Sequence, residues 1–145
     1  FPNKNNNEAI SNNNDDSYLK IPLVGLIAAG EAIEAINSSE SMISVPKSLV
    51  AKNSTYFGLK VKGLSMIDEG IFDGDIAVIR KTNSVLNGKI AAILTSDNEI
   101  TLKTILIKDK KIHLIPANKS YSEKIFNVNE VQIQGALTGI IRKYN

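Results

Sequence analysis

The chain has 145 residues, about one domain by the length prior, with 17 Lys plus Arg against 15 Asp plus Glu and a net charge of +2. That near-neutral balance gives no electrostatic footing for a nucleic-acid surface spread over the whole chain. The absence of cysteine excludes disulfides, thiolate nucleophiles and Cys-ligated metal centres, and a single histidine, His113, leaves any imidazole-based site resting on one ring.

Residues 1–17 contain seven asparagines and offer apolar contact only at Phe1, Ala9 and Ile10. Such a tract cannot bury enough surface to offset its ordering entropy, so it is expected to be a flexible linker, which suggests a domain before it; the plainer alternative is a frayed terminus. With Phe1 rather than Met at its start, the chain is expected to be a piece of something longer. The lack of cysteine fits a reducing compartment. No apolar run approaches a membrane-spanning length, and no signal peptide opens the chain.

From Tyr18 onward, short runs rich in Ile, Val, Leu and Thr are broken by Gly, Asn and Asp, which predicts mostly short strands. Residues 21–30 are apolar and end in Ala28-Ala29-Gly30, where small side chains permit close backbone approach. Their plain reading is an edge strand followed by a helix at 31–36. Single helical turns are expected within 46–52 and 66–70. Strands are expected over 56–62, 75–80 and 89–95, the last after the Asn87-Gly88 turn signal. Residues 99–107 and 111–115 read as a hairpin closed by Lys108-Asp109-Lys110, a solvated tip. A long strand over 131–142 closes the chain, with Gly135 and Gly139 as candidate bulge or bend points.

Without cysteine and with one histidine, nucleophilic chemistry has to use Ser, Thr or Lys. Ser65 stands in Gly63-Leu64-Ser65-Met66-Ile67, where the chain passes from a strand through glycine into a helical turn. Its hydroxyl is expected to be exposed there, beside backbone N–H groups able to hold an oxyanion. The plainer reading is an N-cap, with Asp68 three residues on. Lys103 lies in Glu99-Ile100-Thr101-Leu102-Lys103-Thr104-Ile105, a strand apolar on both faces. Burial favours the neutral amine, and a neutral amine beside a serine hydroxyl can serve as general base. Its plainer reading is an edge-strand lysine whose amine reaches water. Asp73-Gly74-Asp75 reads as a turn rather than a metal site, and His113 as a strand residue with a local partner. No phosphate-binding or dinucleotide motif is present.

Taken together and in order, these segments resemble the C-terminal domain of the LexA family of self-cleaving repressors. Ile21-Pro22-Leu23-Val24-Gly25 followed by Ala28-Ala29-Gly30-Glu31 is similar to the family's cleavage region. Leu59-Lys60-Val61-Lys62-Gly63-Leu64-Ser65-Met66-Ile67, continued by Gly70-Ile71-Phe72-Asp73-Gly74-Asp75, is similar to its nucleophile motif. Glu99-Ile100-Thr101-Leu102-Lys103 is similar to the strand carrying its base, and Leu114-Ile115-Pro116-Ala117-Asn118 and residues 135–142 match later segments in character. The resemblance runs from about residue 21 to residue 142. Leu64 departs from it where Asp is common before the serine, as do Ala32 where Pro is common and Thr104 where Arg is common.

The resemblance implies a LexA/signal-peptidase-like fold, mostly β, of several twisted, largely antiparallel sheets with little helix. It divides the chain into a linker over 1–17 and an autoproteolytic and dimerisation domain over 18–145. Ser65 would be the nucleophile, Lys103 its base and Ala29-Gly30 the scissile bond, with Val24 and Ile27 seating the cleavage segment. No cofactor or metal is implied. The implied partners are a second copy, met through residues 131–141, and a RecA filament on single-stranded DNA, with operator DNA bound only through an N-terminal domain outside this chain. The implied location is the cytoplasm, with no membrane. The alternatives are a UmuD-like subunit of an error-prone polymerase, a phage-type repressor, a dimerisation module in which Ser65 only caps a turn, and a signal peptidase, which would need a membrane anchor.

Overall fold

A computed structural model describes residues 17–24 and 41–144 of the chain. Among these, nine strands dominate and the helical content is confined to single 3-10 turns at Lys47–Leu49, Ile67–Glu69 and Val128–Glu130. The mostly β, largely antiparallel architecture expected from the sequence is what forms. The strands are β1 (Tyr18–Val24), β2 (Met42–Pro46), β3 (Tyr56–Lys60), β4 (Ile76–Lys81), β5 (Ile90–Leu94), β6 (Ile100–Lys108), β7 (Lys111–Ile115), β8 (Lys124–Asn127) and β9 (Gln132–Ile141). Hydrogen bonding links them in the order β2-β1-β3-β4-β9-β5-β6-β7-β8.

Six of these strands fall on the segments that alternation or apolar runs predicted, and the hairpin tip between β6 and β7 turns through positive φ at Asp109 (55°) and Lys110 (65°). β1 is not an edge strand. It pairs antiparallel with β2 over Tyr18–Pro22 and parallel with β3 at Leu23 and Val24. The predicted helix at 31–36 lies outside the described residues. β2 and β8 were not legible beforehand, being four or five residues long and largely exposed. Such short, largely exposed strands exist because a neighbouring strand offers unpaired backbone groups.

The sheet curls around a core drawn from strands far apart in its order. Leu59 of β3, Ala77 and Ile79 of β4, Ala92 of β5 and Leu102 of β6 bury together with Val24, Phe57, Met66 and Ile71. A second group, including Ala91, Ile105, Ile112 and Leu114, fills the β5–β7 side, and a third, including Ile21, Val45, Tyr56 and Val78, lies under β1 and β2. Curvature of this kind needs extra residues in a strand. β9 supplies them. Its register shifts against β4 between Val78 and Ile79 and against β5 between Ala92 and Ile93. The unpaired residues, Thr138 and Gln134, directly precede Gly139 and Gly135, the two glycines flagged in the sequence.

One buried charge fastens the loop that follows the nucleophile motif. Asp75 is 2% exposed and accepts from Arg142 Nε and Nη2 at 2.7 and 2.8 Å and from the Phe72 N–H at 2.8 Å. Arg142 also donates to the Gly70 carbonyl at 2.8 Å and lies 4.7 Å from the Phe72 ring centroid. The Arg142 hydrogen bonds hold the Asp75 carboxyl below the usual carboxylate range, against the opposing effect of burial. Because the folded pKa is depressed, the stability it contributes is complete above the unfolded Asp value of about 3.9. It is lost as pH falls through the folded value. Asp75→Asn is expected to lower Tm by roughly 5–10 °C at pH 7, with the gap to wild type closing on acidification. Melting curves at pH 7 and pH 3 check this.

Candidate active site

The chain leaves β3 at Lys60 and reaches Ser65 through a loop pinned on both flanks. The Val61 N–H donates to the Asp75 carbonyl at 2.8 Å, and the Gly74 N–H donates back to the Val61 carbonyl at 2.9 Å. Gly63 turns the chain at φ 85°, a left-handed conformation that favours glycine, while its N–H donates to Asp73 Oδ1 at 2.6 Å. From the other side comes the segment after β7. The Ala117 N–H donates to the Ser65 carbonyl at 2.7 Å, Asn118 Nδ2 to the Leu64 carbonyl at 2.8 Å, and the Asp68 N–H to the Ala117 carbonyl at 2.8 Å. Pro116-Ala117-Asn118, noticed in the sequence only for its character, is therefore the brace that fixes the Ser65 backbone.

Ser65 does not cap the following turn. The residue in the cap position is Met66, and no side chain makes a cap hydrogen bond there. The Ser65 hydroxyl instead meets Lys103, whose Nζ lies 2.9 Å from Ser65 Oγ. β6 pairs with β5 at Lys103, opposite Ala91, and with β7 from Thr104 onward; the Lys103 amine is taken up by side-chain partners rather than extended to water.

Lys103 is half-buried, and its amine has a second partner, Thr101 Oγ1 at 2.6 Å. Thr101 was missed in the sequence. The available signal was its place two residues before the lysine, which puts both side chains on one face of the strand. No carboxylate pairs with Lys103 among the described residues. Burial is the main cause that lowers its pKa below the usual 10.5; the charge of Lys124 adds to this and that of Glu99 opposes it. The backbone N–H groups of Leu64, Ser65 and Met66 donate to no acceptor among the described residues.

The Ser65–Lys103 pair opens into a cleft of about 510 Å³, whose apolar wall includes Leu59, Leu64, Leu102, Leu114, Tyr121 and Phe126. Val24 is 2% exposed and packs in the core beside Leu59 and Met66. Ile27, Ala29 and Gly30 lie outside the described residues. Leu64, the departure beside the serine, is 48% exposed. Asp73 and Asp75 take the protein donors already described, as the turn reading requires. No cluster of metal-ligating side chains occurs among the described residues. His113 has the local partner expected of it, Glu123, at 2.5 Å from Nδ1. Such a site has the parts for acyl transfer: a hydroxyl nucleophile, an amine biased toward its neutral form, and unpaired N–H donors beside them.

A family model described as peptidase S24-like matches residues 22–138. The chain is 45% identical over 131 residues to a LexA repressor of Pseudothermotoga lettingae, covering 90% of this chain and 66% of the relative. It is 41% identical over 130 residues to a LexA repressor of Granulibacter bethesdensis, covering 90% and 53%. Against a LexA repressor of Pelagibacter ubique it is 42% identical over 132 residues, covering 91% and 58%. The chain thus spans between about half and two thirds of the length of these curated relatives.

Proposed function

The chain belongs to the peptidase S24-like family, and from that premise we propose that it is the self-cleaving domain of a LexA-like repressor. The observation that carries the reading is the Ser65 Oγ–Lys103 Nζ contact of 2.9 Å inside an open cleft. In the neutral amine, one N–H is held by Thr101 and the lone pair is free to accept the Ser65 proton. Ser65 Oγ then attacks the Ala29 carbonyl carbon, and the unpaired N–H groups at residues 64–66 stabilise the oxyanion. The Lys103 ammonium returns its proton to the Gly30 nitrogen as the peptide bond breaks. Water hydrolyses the resulting acyl-serine, so each molecule is cut once.

Chain geometry supports cleavage within one molecule. Five residues beyond Val24 span at most roughly 17 Å, and Val24 pairs with Leu59 on the strand that leads to Ser65. A tethered substrate has a high effective concentration, which replaces tight binding. The Ala29-Gly30 pair, together with the LexA names of the relatives, favours a repressor over a polymerase subunit. No helix of the described residues is long and apolar enough to cross a membrane.

The rest of the reading follows from the family. The repressor would act in the cytoplasm in the response to DNA damage, and an N-terminal domain outside this chain would hold operator DNA. A RecA filament on single-stranded DNA would favour the docked cleavage segment by binding that state better. A second copy would be met through the C-terminal strand. Pairing narrows this to residues 137–141, which bond to β4 on one edge and to no described strand on the other.

The test is incubation of the chain at pH 7 and pH 10 followed by intact-mass measurement. Two products that split between Ala29 and Gly30 are expected, forming faster at pH 10. The sign follows from Lys103: its neutral fraction rises with pH, and its lowered pKa brings the rise below the ordinary lysine range. A flat rate from pH 7 to 10 overturns Lys103 as the base. An intact chain at both pH values, even with activated RecA filament, overturns the self-cleaving function.

A further inference from the structure

Lys103 is not the only lysine facing the cleft. Lys124 of β8 lines it as well. The register puts both on one face of the sheet. Ile105 pairs with Leu114, and Leu114 pairs with Lys124, while Lys103 lies two residues from Ile105 on β6. Strand spacing and rise separate the two Cα atoms by roughly 12 Å, a gap that two long side chains shorten.

The acid next to Lys124 in the chain is Glu123. Alternation sends that carboxylate to the opposite face, where it is engaged by His113 of β7. Lys124 itself makes no ion pair among the described residues. The other titratable side chains lining the cleft are Lys60, Lys62, Asp97, Glu99 and Tyr121, and none of them is salt-bridged to Lys124.

We propose that Lys124 is a positioning residue for the self-cleavage reaction, an uncompensated cation on the far wall that keeps the Lys103 amine ready to give up its proton. This rests on the reading of Lys103 as general base. Its physical basis is like-charge repulsion across the cleft between the exposed Lys124 and the half-buried Lys103, in the direction already noted for Lys103, with Glu99 pulling the other way.

The experiment compares wild type with Lys124→Met, Lys124→Glu and Lys124→Arg. Two readouts are taken on each: the self-cleavage rate from pH 7 to 10.5, and the titration of Lys103 followed by NMR of protein with 13C-labelled lysine in a Ser65→Ala background, the resonance being identified by its loss in Lys103→Met. Lys124→Met is expected to raise the Lys103 pKa by roughly half a unit and Lys124→Glu by about one unit. Lys124→Arg is expected to match wild type. The corresponding cleavage losses at pH 7 are about threefold and tenfold, and they vanish as the pH passes the Lys103 pKa. An unchanged Lys103 titration in the Met and Glu variants overturns the proposal. So does a cleavage loss that persists at high pH, which would mark a role in seating the substrate or in packing. If Lys103 titrates as expected while wild type never cleaves, Lys124's effect on Lys103 stands and the self-cleaving function is what fails.

Discussion

Ser65→Ala and Lys103→Met are each expected to reduce self-cleavage by at least about a thousandfold, because members of a nucleophile–base pair act as a unit. Folding is not expected to suffer. Ser65→Ala removes one hydrogen bond to Lys103 and leaves the one to Thr101, so its Tm should stay within about 2 °C of wild type. Lys103→Met should be the more stable protein at pH 7. The folded pKa of Lys103 is lowered, so the folded state binds that proton less tightly than the unfolded chain does. The resulting penalty is complete below the folded pKa and disappears as pH rises toward the unfolded one. Removing the amine is therefore expected to raise Tm at neutral pH, an advantage that shrinks in alkaline solution. Intact-mass time courses and melts at pH 7 and 10 test both statements. Ser65→Ala that still cleaves at the wild-type rate would remove Ser65 from the chemistry.

Gly135→Ala is expected to cost about 2–3 kcal/mol and to lower Tm by roughly 10 °C. A Cβ at this position would lie 2.4 Å from the Arg80 carbonyl oxygen and 2.4 Å from Ile79 Cγ2. The first of these is backbone and cannot swing aside. Gly139→Ala is the matched control. Its Cβ would meet only the Leu49 side chain, at 3.3 Å, and Leu49 can give by a few tenths of an ångström, so a loss under about 1 kcal/mol is expected. The consequence reaches the site because β9 joins its two halves. Gly135 pairs with Lys81 on β4 and with Ala92 on β5. Through β3 the first side leads to Ser65, and through β6 the second carries Lys103. A shift at Gly135 is thus expected to slow cleavage more than the unfolded fraction accounts for, measured well below the Tm of the variant. Equal stability for the alanine variants at 135 and 139 would refute this account of the strand.

The sequence by itself determined the strand-rich class, the hairpin tip over 108–110, the turn at Asp73-Gly74-Asp75 and the two residues worth watching. Each of these is local. Alternation, turn chemistry and a lysine among aliphatic neighbours are written in adjacent positions and need no partner to be read. The proposed scissile pair Ala29-Gly30 rests on the sequence alone, since it lies outside the described residues.

What tertiary structure decided is everything that depends on pairing across the chain. Ser65 and Lys103 are separated by 38 positions, and each alone reads more simply as a cap or an edge residue. Among the local signals nothing joins them; the 2.9 Å contact does. That contact exists because β5 holds β6 at Lys103, because residues 116–118 brace the serine, and because a doubly bulged β9 curls the sheet until its separated strands share one core. Thr101 could have been found two residues before Lys103 on one strand, whereas Lys124 became visible only once the strand register gave it a common face with Lys103. Hydrogen-bond register is a relation between segments, and a single segment's residues carry no record of which neighbour it will find.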